Sequence, residues 1–200
     1  MKKVVWLIGD SIRLGYQDLV IEKLGDAYEV YKPDENGRFS TYTLNSLRWW
    51  TPGWNSPDII HWNNGLWDIN RCITKEENFT SPQRYVEDMG RLLKEFKKTG
   101  AKIIFATTTP TLHGLCDNSP DTILNEDVKK YNKLFLDHYG NCVDAVDDLF
   151  HVVYPHLYEY ICEDFLHLSA KGKEVCADAV AASVRAVNEN NCEAAEKYCE

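Results

Sequence analysis

The chain has no apolar run longer than Val4 to Ile8, five residues against the roughly 20 needed to span a bilayer, so no membrane partner is expected. That run follows only Met1, Lys2 and Lys3, and it passes into Gly9-Asp10-Ser11 without an A-x-A-like cleavage site. A secretory signal is therefore not expected. Basic residues are few, 22 against 31 acids, and a net charge of −9 repels a phosphate backbone, which excludes broad nucleic-acid binding. Neither a P-loop nor a dinucleotide fingerprint occurs, and no cofactor is expected. The seven cysteines (72, 116, 142, 162, 176, 192 and 199) form no C-x-x-C pair, so no metal site is expected. They read as reduced thiols of a cytoplasmic protein, several of them filling the core.

What is present is a chain able to fold. Hydrophobic residues make up 44% and charged residues 26% of 200 positions, which suits one domain over 1–200; two would be cramped. Short β-rich runs alternate with amphipathic stretches. Strands are predicted over 3–8, 28–31, 58–62, 102–106 and 143–146, and helices over 12–24, 41–50, 82–98, 125–139 and 170–188. Gly25 and Gly100 read as stops, Pro82 as a first-turn residue and Ser169 as an N-cap. The polar stretch 189–200 reads as a tail or a continuation of the last helix. Buried strands alternating with helices predict an α/β fold: a doubly wound, flavodoxin-like, three-layer domain with a parallel sheet of about five strands. Ligands of such sheets sit beyond the carboxyl ends of the strands, so the chemistry is sought there.

Ser11 follows the first strand and opens a helix, where free N–H groups and the helix dipole favour a developing anion. It reads as a nucleophile or as a plain N-cap. Asp10 beside it is expected to bond neighbouring backbone and stiffen the turn. A serine nucleophile needs a base, and the base an orienting carboxylate. The spacing Asp-x-x-His occurs three times, at Asp58/His61, Asp148/His151 and Asp164/His167. The first pair lies in a strand, where residues three apart face opposite sides. The second opens a helix-like stretch, where it caps and packs. The third sits in a loop before the last helix and can aim at the sheet edge, so Asp164 and His167 are favoured.

Gly9-Asp10-Ser11, Gly37 in Asn36-Gly37-Arg38, Asn63 in Asn63-Asn64-Gly65-Leu66, and Asp164-x-x-His167 together resemble the four marker blocks of the SGNH, or GDSL-like, hydrolases. Each block is short; their order along almost the whole chain carries the resemblance. It implies a catalytic Ser11, His167 as base and Asp164 as the carboxylate that holds it. It implies an oxyanion hole from the Ser11 and Gly37 N–H groups and the Asn63 amide. The third block departs from the family pattern, with His61 and Asn64 where a small residue and a carboxylate are usual, so Asn63 and Asn64 both stay open as the donor; alignment on Gly65-Leu66 favours Asn63. No G-x-S-x-G elbow surrounds Ser11.

The resemblance implies a serine esterase working through an acyl-enzyme on a small-molecule ester, with a small (acetyl) group on a carbohydrate or other polar compound as the expected substrate. A thioesterase or lysophospholipase for longer chains, and a non-catalytic flavodoxin-like binding module, are the alternatives. Trp49, Trp50, Trp54, Trp62 and Trp67 cluster within 49–67. Trp62 and Trp67 flank the proposed oxyanion loop and are candidates for substrate contact, as is Arg38. Nothing in the sequence bears on the oligomeric state.

Overall fold

A computed structural model describes residues 2–71, 76–120 and 122–189. Cys72, Cys192, Cys199 and the tail from 190 onward lie outside the described residues. Five parallel strands form one sheet: β1 (Lys3–Ile8), β2 (Tyr28–Tyr31), β3 (Ile59–Trp62), β4 (Lys102–Ala106) and β5 (Ala145–Asp147), in the order β2-β1-β3-β4-β5. The order reverses between β1 and β3, and the ends of those two strands carry Gly9-Asp10-Ser11 and Asn63. The predicted fold class is the one observed.

Among the described residues seven α-helices accompany the sheet: α1 (Ser11–Leu24), α2 (Ser40–Trp50), α3 (Pro82–Lys97), α4 (Asn125–Tyr139), the short α5 (Leu149–Val153) and α6 (Leu157–Tyr160), and α7 (Ala170–Asn188). α1 packs on α7, while α2 packs on α3 and α3 on α4, which places helices on both faces. Pro82 opens α3 behind a Ser81 cap, and Ser169 caps α7 by accepting the Gly172 N–H at 3.1 Å. β5 begins at Ala145, two residues later than its periodicity suggests.

Alternation along β3 sorts its side chains. Trp62 points to the α3 and α4 side, fully buried against Phe96, Phe105 and Phe135 at ring separations of 5.0–5.7 Å. His61 points the other way and meets Asp147 of β5 at 2.9 Å, while Asp58 pairs with Lys3 and the Val4 N–H. The Asp58/His61 spacing therefore produces no pair, as strand geometry requires. Of the four described cysteines none is in a disulfide, and only Cys176 fills the core; burial, with help from Asp147, pushes its thiol up to about 12.

One long-range tie sets the loops at the sheet edge. The first N–H groups of a helix need acceptors, and Phe39, which precedes α2, supplies no side-chain cap. The carboxylate of Asp68, 28 residues on, takes the place of a cap: it accepts the Ser40 N–H at 3.0 Å and the Ser40 hydroxyl at 2.7 Å. This joins the loop after β2 to the loop after β3. Burial, with Asp88 adding repulsion, raises the Asp68 carboxyl to about 7 against donation from Ser40 and Thr80.

The native state thus holds a proton on Asp68 that the unfolded chain releases near pH 4, so rising pH favours unfolding across that interval. Between about pH 4 and about 7 the wild type should lose stability relative to Asp68→Asn, which keeps an acceptor for Ser40 but cannot ionise. Urea unfolding of both proteins at several pH values reads this directly; parallel curves would show that Asp68 ionises normally in the fold.

Candidate active site

The turn from β1 into α1 is built by crowding. A Cβ on Gly9 would fall 2.1 Å from the Asn63 side-chain oxygen, so only glycine allows Asn63 to press against this backbone. Asp10 is the N-cap of α1, its Oδ1 accepting the Ile12 N–H at 2.9 Å. Ser11 is thereby released from capping. It stands at the first helical position, where its own N–H has no intrahelical carbonyl to reach. Burial pushes the Asp10 carboxyl up, partly offset by the Ile12 N–H, Arg13, His167 and Asn63.

The other two side chains arrive on the loop before α7, His167 from 156 residues away. His167 Nε2 lies 3.0 Å from Ser11 Oγ, and His167 Nδ1 lies 2.6 Å from Asp164 Oδ2. Asp164 Oδ1 also accepts the Leu166 and His167 N–H groups at 3.0 and 2.9 Å. That tight loop needs Phe165 at φ 66°, a left-handed conformation costing about 1–3 kcal/mol in a non-glycine residue. The turn is held by Phe165 N–H to the Cys162 carbonyl (3.0 Å), Cys162 N–H to the His167 carbonyl (2.7 Å) and Leu112 N–H to the Phe165 carbonyl (2.8 Å). Burial raises the Asp164 carboxyl, but the Leu166 N–H, the His167 ring and the His167 N–H together hold it below the ordinary carboxylate range. An ionised Asp164 keeps the Nδ1 proton on the ring, which leaves Nε2 free to accept from the serine hydroxyl. A hydroxyl, an imidazole and a carboxylate in that line can transfer a proton and attack an acyl carbon.

The rival pair caps a helix, as its setting predicts, but its histidine does not pack. Asp148 caps α5 through the His151 N–H (3.2 Å), holds the His151 ring at 2.6 Å and accepts from Thr107. Its histidine is 74% exposed and its described partner is Asp148. Three histidines lie elsewhere: His113 beside Thr122, His138 on the Leu134 carbonyl and His156 near Glu159. Among the described residues no group of three His, Cys, Asp or Glu could hold a metal ion.

The two asparagines divide their tasks. Asn64 is fully buried; its amide donates to the Arg38 carbonyl and Thr43, and its oxygen accepts from Trp62. Every polar atom of that side chain is engaged. Asn63 is almost as buried, but its side-chain oxygen has no donor and it lies against Gly9 and Asp10, directly before Ser11.

Three sequence expectations change. The Gly37 N–H, expected to face an oxyanion, donates to the Gly9 carbonyl at 3.1 Å. What requires glycine there is space, since a Cβ would sit 2.5 Å from the same carbonyl oxygen. Trp62, expected at the substrate, is sealed in the core at 0% exposure and cannot touch one. Several cysteines were expected in the core, where Cys176 alone among those described is buried. Trp67 remains 38% exposed; Arg38 is exposed, stacks on Tyr42 at 4.7 Å and takes φ 51°.

Arg13 is the residue that the sequence pattern hides. Fully buried in α1, its guanidinium donates to the carbonyls of Pro33 (2.8 Å), Glu35 (2.7 Å) and Gly9 (3.3 Å), and to Gln17. It binds the Gly37 loop to the Ser11 turn, and burial lowers its pKa. A polar residue at a core-facing position of a helix is the signal that marks it.

No protein-family model and no curated protein matches the sequence. Solved structures match the fold over nearly the whole chain. The lipase/acylhydrolase from Enterococcus faecalis has a TM-score of 0.74 at 20% identity, covering 92% of this chain and 95% of that one. An acetylxylan esterase from Geobacillus stearothermophilus gives 0.71 at 17%, covering 91% and 94%. A GDSL-like lipase from Bacteroides thetaiotaomicron gives 0.69 at 14%, covering 94% and 89%.

Replacing Arg13 by Ala should destabilise the fold by about 2–5 kcal/mol, because three carbonyls lose a buried charged donor. Arg13→Lys should recover little of this, since one ammonium cannot span the same acceptors. Chemical denaturation of the three proteins checks both; full recovery by lysine would mean that the charge matters and the fork does not.

Proposed function

From a chain with the SGNH/GDSL hydrolase fold, we propose a carboxylic ester hydrolase in which Ser11 is the nucleophile. The observation that carries this reading is the continuous line Ser11 Oγ–His167 Nε2 (3.0 Å) and His167 Nδ1–Asp164 Oδ2 (2.6 Å) at the switch point of the sheet. His167 takes the Ser11 proton as the hydroxyl attacks the ester carbonyl, and Asp164 holds the ring and stabilises the imidazolium. The tetrahedral oxyanion is met by the Ser11 N–H and the Asn63 amide, each worth roughly 3–4 kcal/mol of barrier. His167 returns the proton to the departing alcohol and then activates water to release the acid. Gly37 lets its loop approach the Ser11 turn.

The proposed substrate is a small ester, with an acetyl group on a carbohydrate or other polar alcohol. Support comes from a cavity of about 290 Å³ shared by Ser11 and His167, and from the fold likeness to a structure described as an acetylxylan esterase. Among the described residues no helix is long and apolar enough to cross a membrane, and four cysteines without a disulfide are compatible with a reducing cytoplasm.

Ser11→Ala should abolish hydrolysis of p-nitrophenyl acetate while leaving the thermal unfolding midpoint nearly unchanged. His167→Ala should lower kcat by a factor on the order of 10³ or more, whereas His151→Ala should change it little. A fluorophosphonate adduct mapped by mass spectrometry to any residue but Ser11, or turnover persisting in Ser11→Ala, would overturn the assignment. A preference for acyl chains of eight carbons or more would overturn the small-acyl substrate alone.

A further inference from the structure

The cavity that holds Ser11 and His167 is completed by Ile12, Leu14, Gly15, Leu168 and Lys173. Lys173 is the one lysine or arginine among these lining residues, and none of them is an acid. Lys173 is half-buried, and its stem lies across Gly15: a Cβ built there would meet Lys173 Cε at 3.3 Å and Cδ at 3.9 Å. Its side chain is therefore laid along the cavity wall rather than extended into water, which costs rotamer freedom.

Among the described residues no charged or polar side chain repays that confinement. Lys173 makes no ion pair or side-chain hydrogen bond with a described residue, although the chain carries nine more acids than bases. The acids of α7, Glu174 and Asp178, are engaged with Lys23, and Glu159 of α6 is engaged with Lys171. Helix stability does not explain it either. Lys173 stands near the start of α7, where no acid is present and a cation opposes the macrodipole. An unpaired, partly desolvated cation beside a reactive hydroxyl, in a protein negative overall, is suited to receive an anion from outside.

We propose that Lys173 is a specificity-determining residue whose ammonium binds a carboxylate carried by the ester substrate. This rests on the reading of Ser11 and His167 as nucleophile and base, since it is their shared cavity that Lys173 lines. The substrate class is then an anionic ester, with the carboxylate on the alcohol side, as in an acidic sugar, or at the far end of the acyl group, as in a dicarboxylic half-ester.

Two matched pairs separate these sources. 4-Acetoxybenzoate against its methyl ester tests the alcohol side, and phenyl hydrogen adipate against phenyl hexanoate tests the acyl side. In at least one pair, Lys173→Met should lower the anionic-to-neutral ratio of kcat/KM about tenfold, the scale of one partly solvated charge-assisted contact. Lys173→Glu should lower it further. Methionine keeps an unbranched stem over Gly15, so the cavity wall survives in that variant. Hydrolysis of the neutral esters with the same ratios in wild type and both variants would overturn the role of Lys173 and leave the esterase reading standing. Failure of the wild type to hydrolyse any of the four esters would overturn both.

Discussion

The 3.0 Å contact between Ser11 and His167 exists only because two helices begin at the same rim of the sheet. α1 and α7 lie side by side on one face, and each is preceded by a loop that ends at the carboxyl edge. One loop delivers a hydroxyl and the other an imidazole. Packing between the helices sets the spacing; the caps Asp10 and Ser169 set where each helix starts. A shift of one residue in the start of α1 would turn Ser11 through about 100°.

Around that contact, the structure fixes backbone rather than side chains. Gly9 is pressed by Asn63 and Gly37 by the Gly9 carbonyl so closely that neither tolerates a Cβ, and the Gly37 N–H is bound to that carbonyl. Arg13 holds the same strip of chain from beneath, and Asp68 holds its far end through Ser40. Asn64 closes the ring by donating to the Arg38 carbonyl. These are one-to-several contacts between chain segments far apart in sequence.

The legible parts were those written locally. Strands, helices, the cap at Ser169 and the first-turn Pro82 follow from runs of a few residues, and they place Ser11, Asn63 and Asp164-x-x-His167 at element ends. Three identical Asp-x-x-His spacings had three fates because a strand, a helix start and a loop present the third residue differently. The illegible parts depended on distant partners. Asp68 stands in for the missing cap of α2 from 28 residues away, and Arg13 reads as an ordinary helix residue until its three carbonyls are seen. Trp62 reads as available because it flanks the proposed oxyanion loop; strand alternation together with Phe96, Phe105 and Phe135 encloses it.

The imidazole and its carboxylate are themselves 42% and 50% open to solvent. Under the proposed mechanism such openness has a chemical result. An acyl group parked on Ser11 would sit next to a base already wetted by bulk solvent, so water would outcompete most dissolved alcohols as the second acceptor. The covalent species would be short-lived and the enzyme poor at transesterification, a bias toward degradation built from nothing more than where the last loop surfaces.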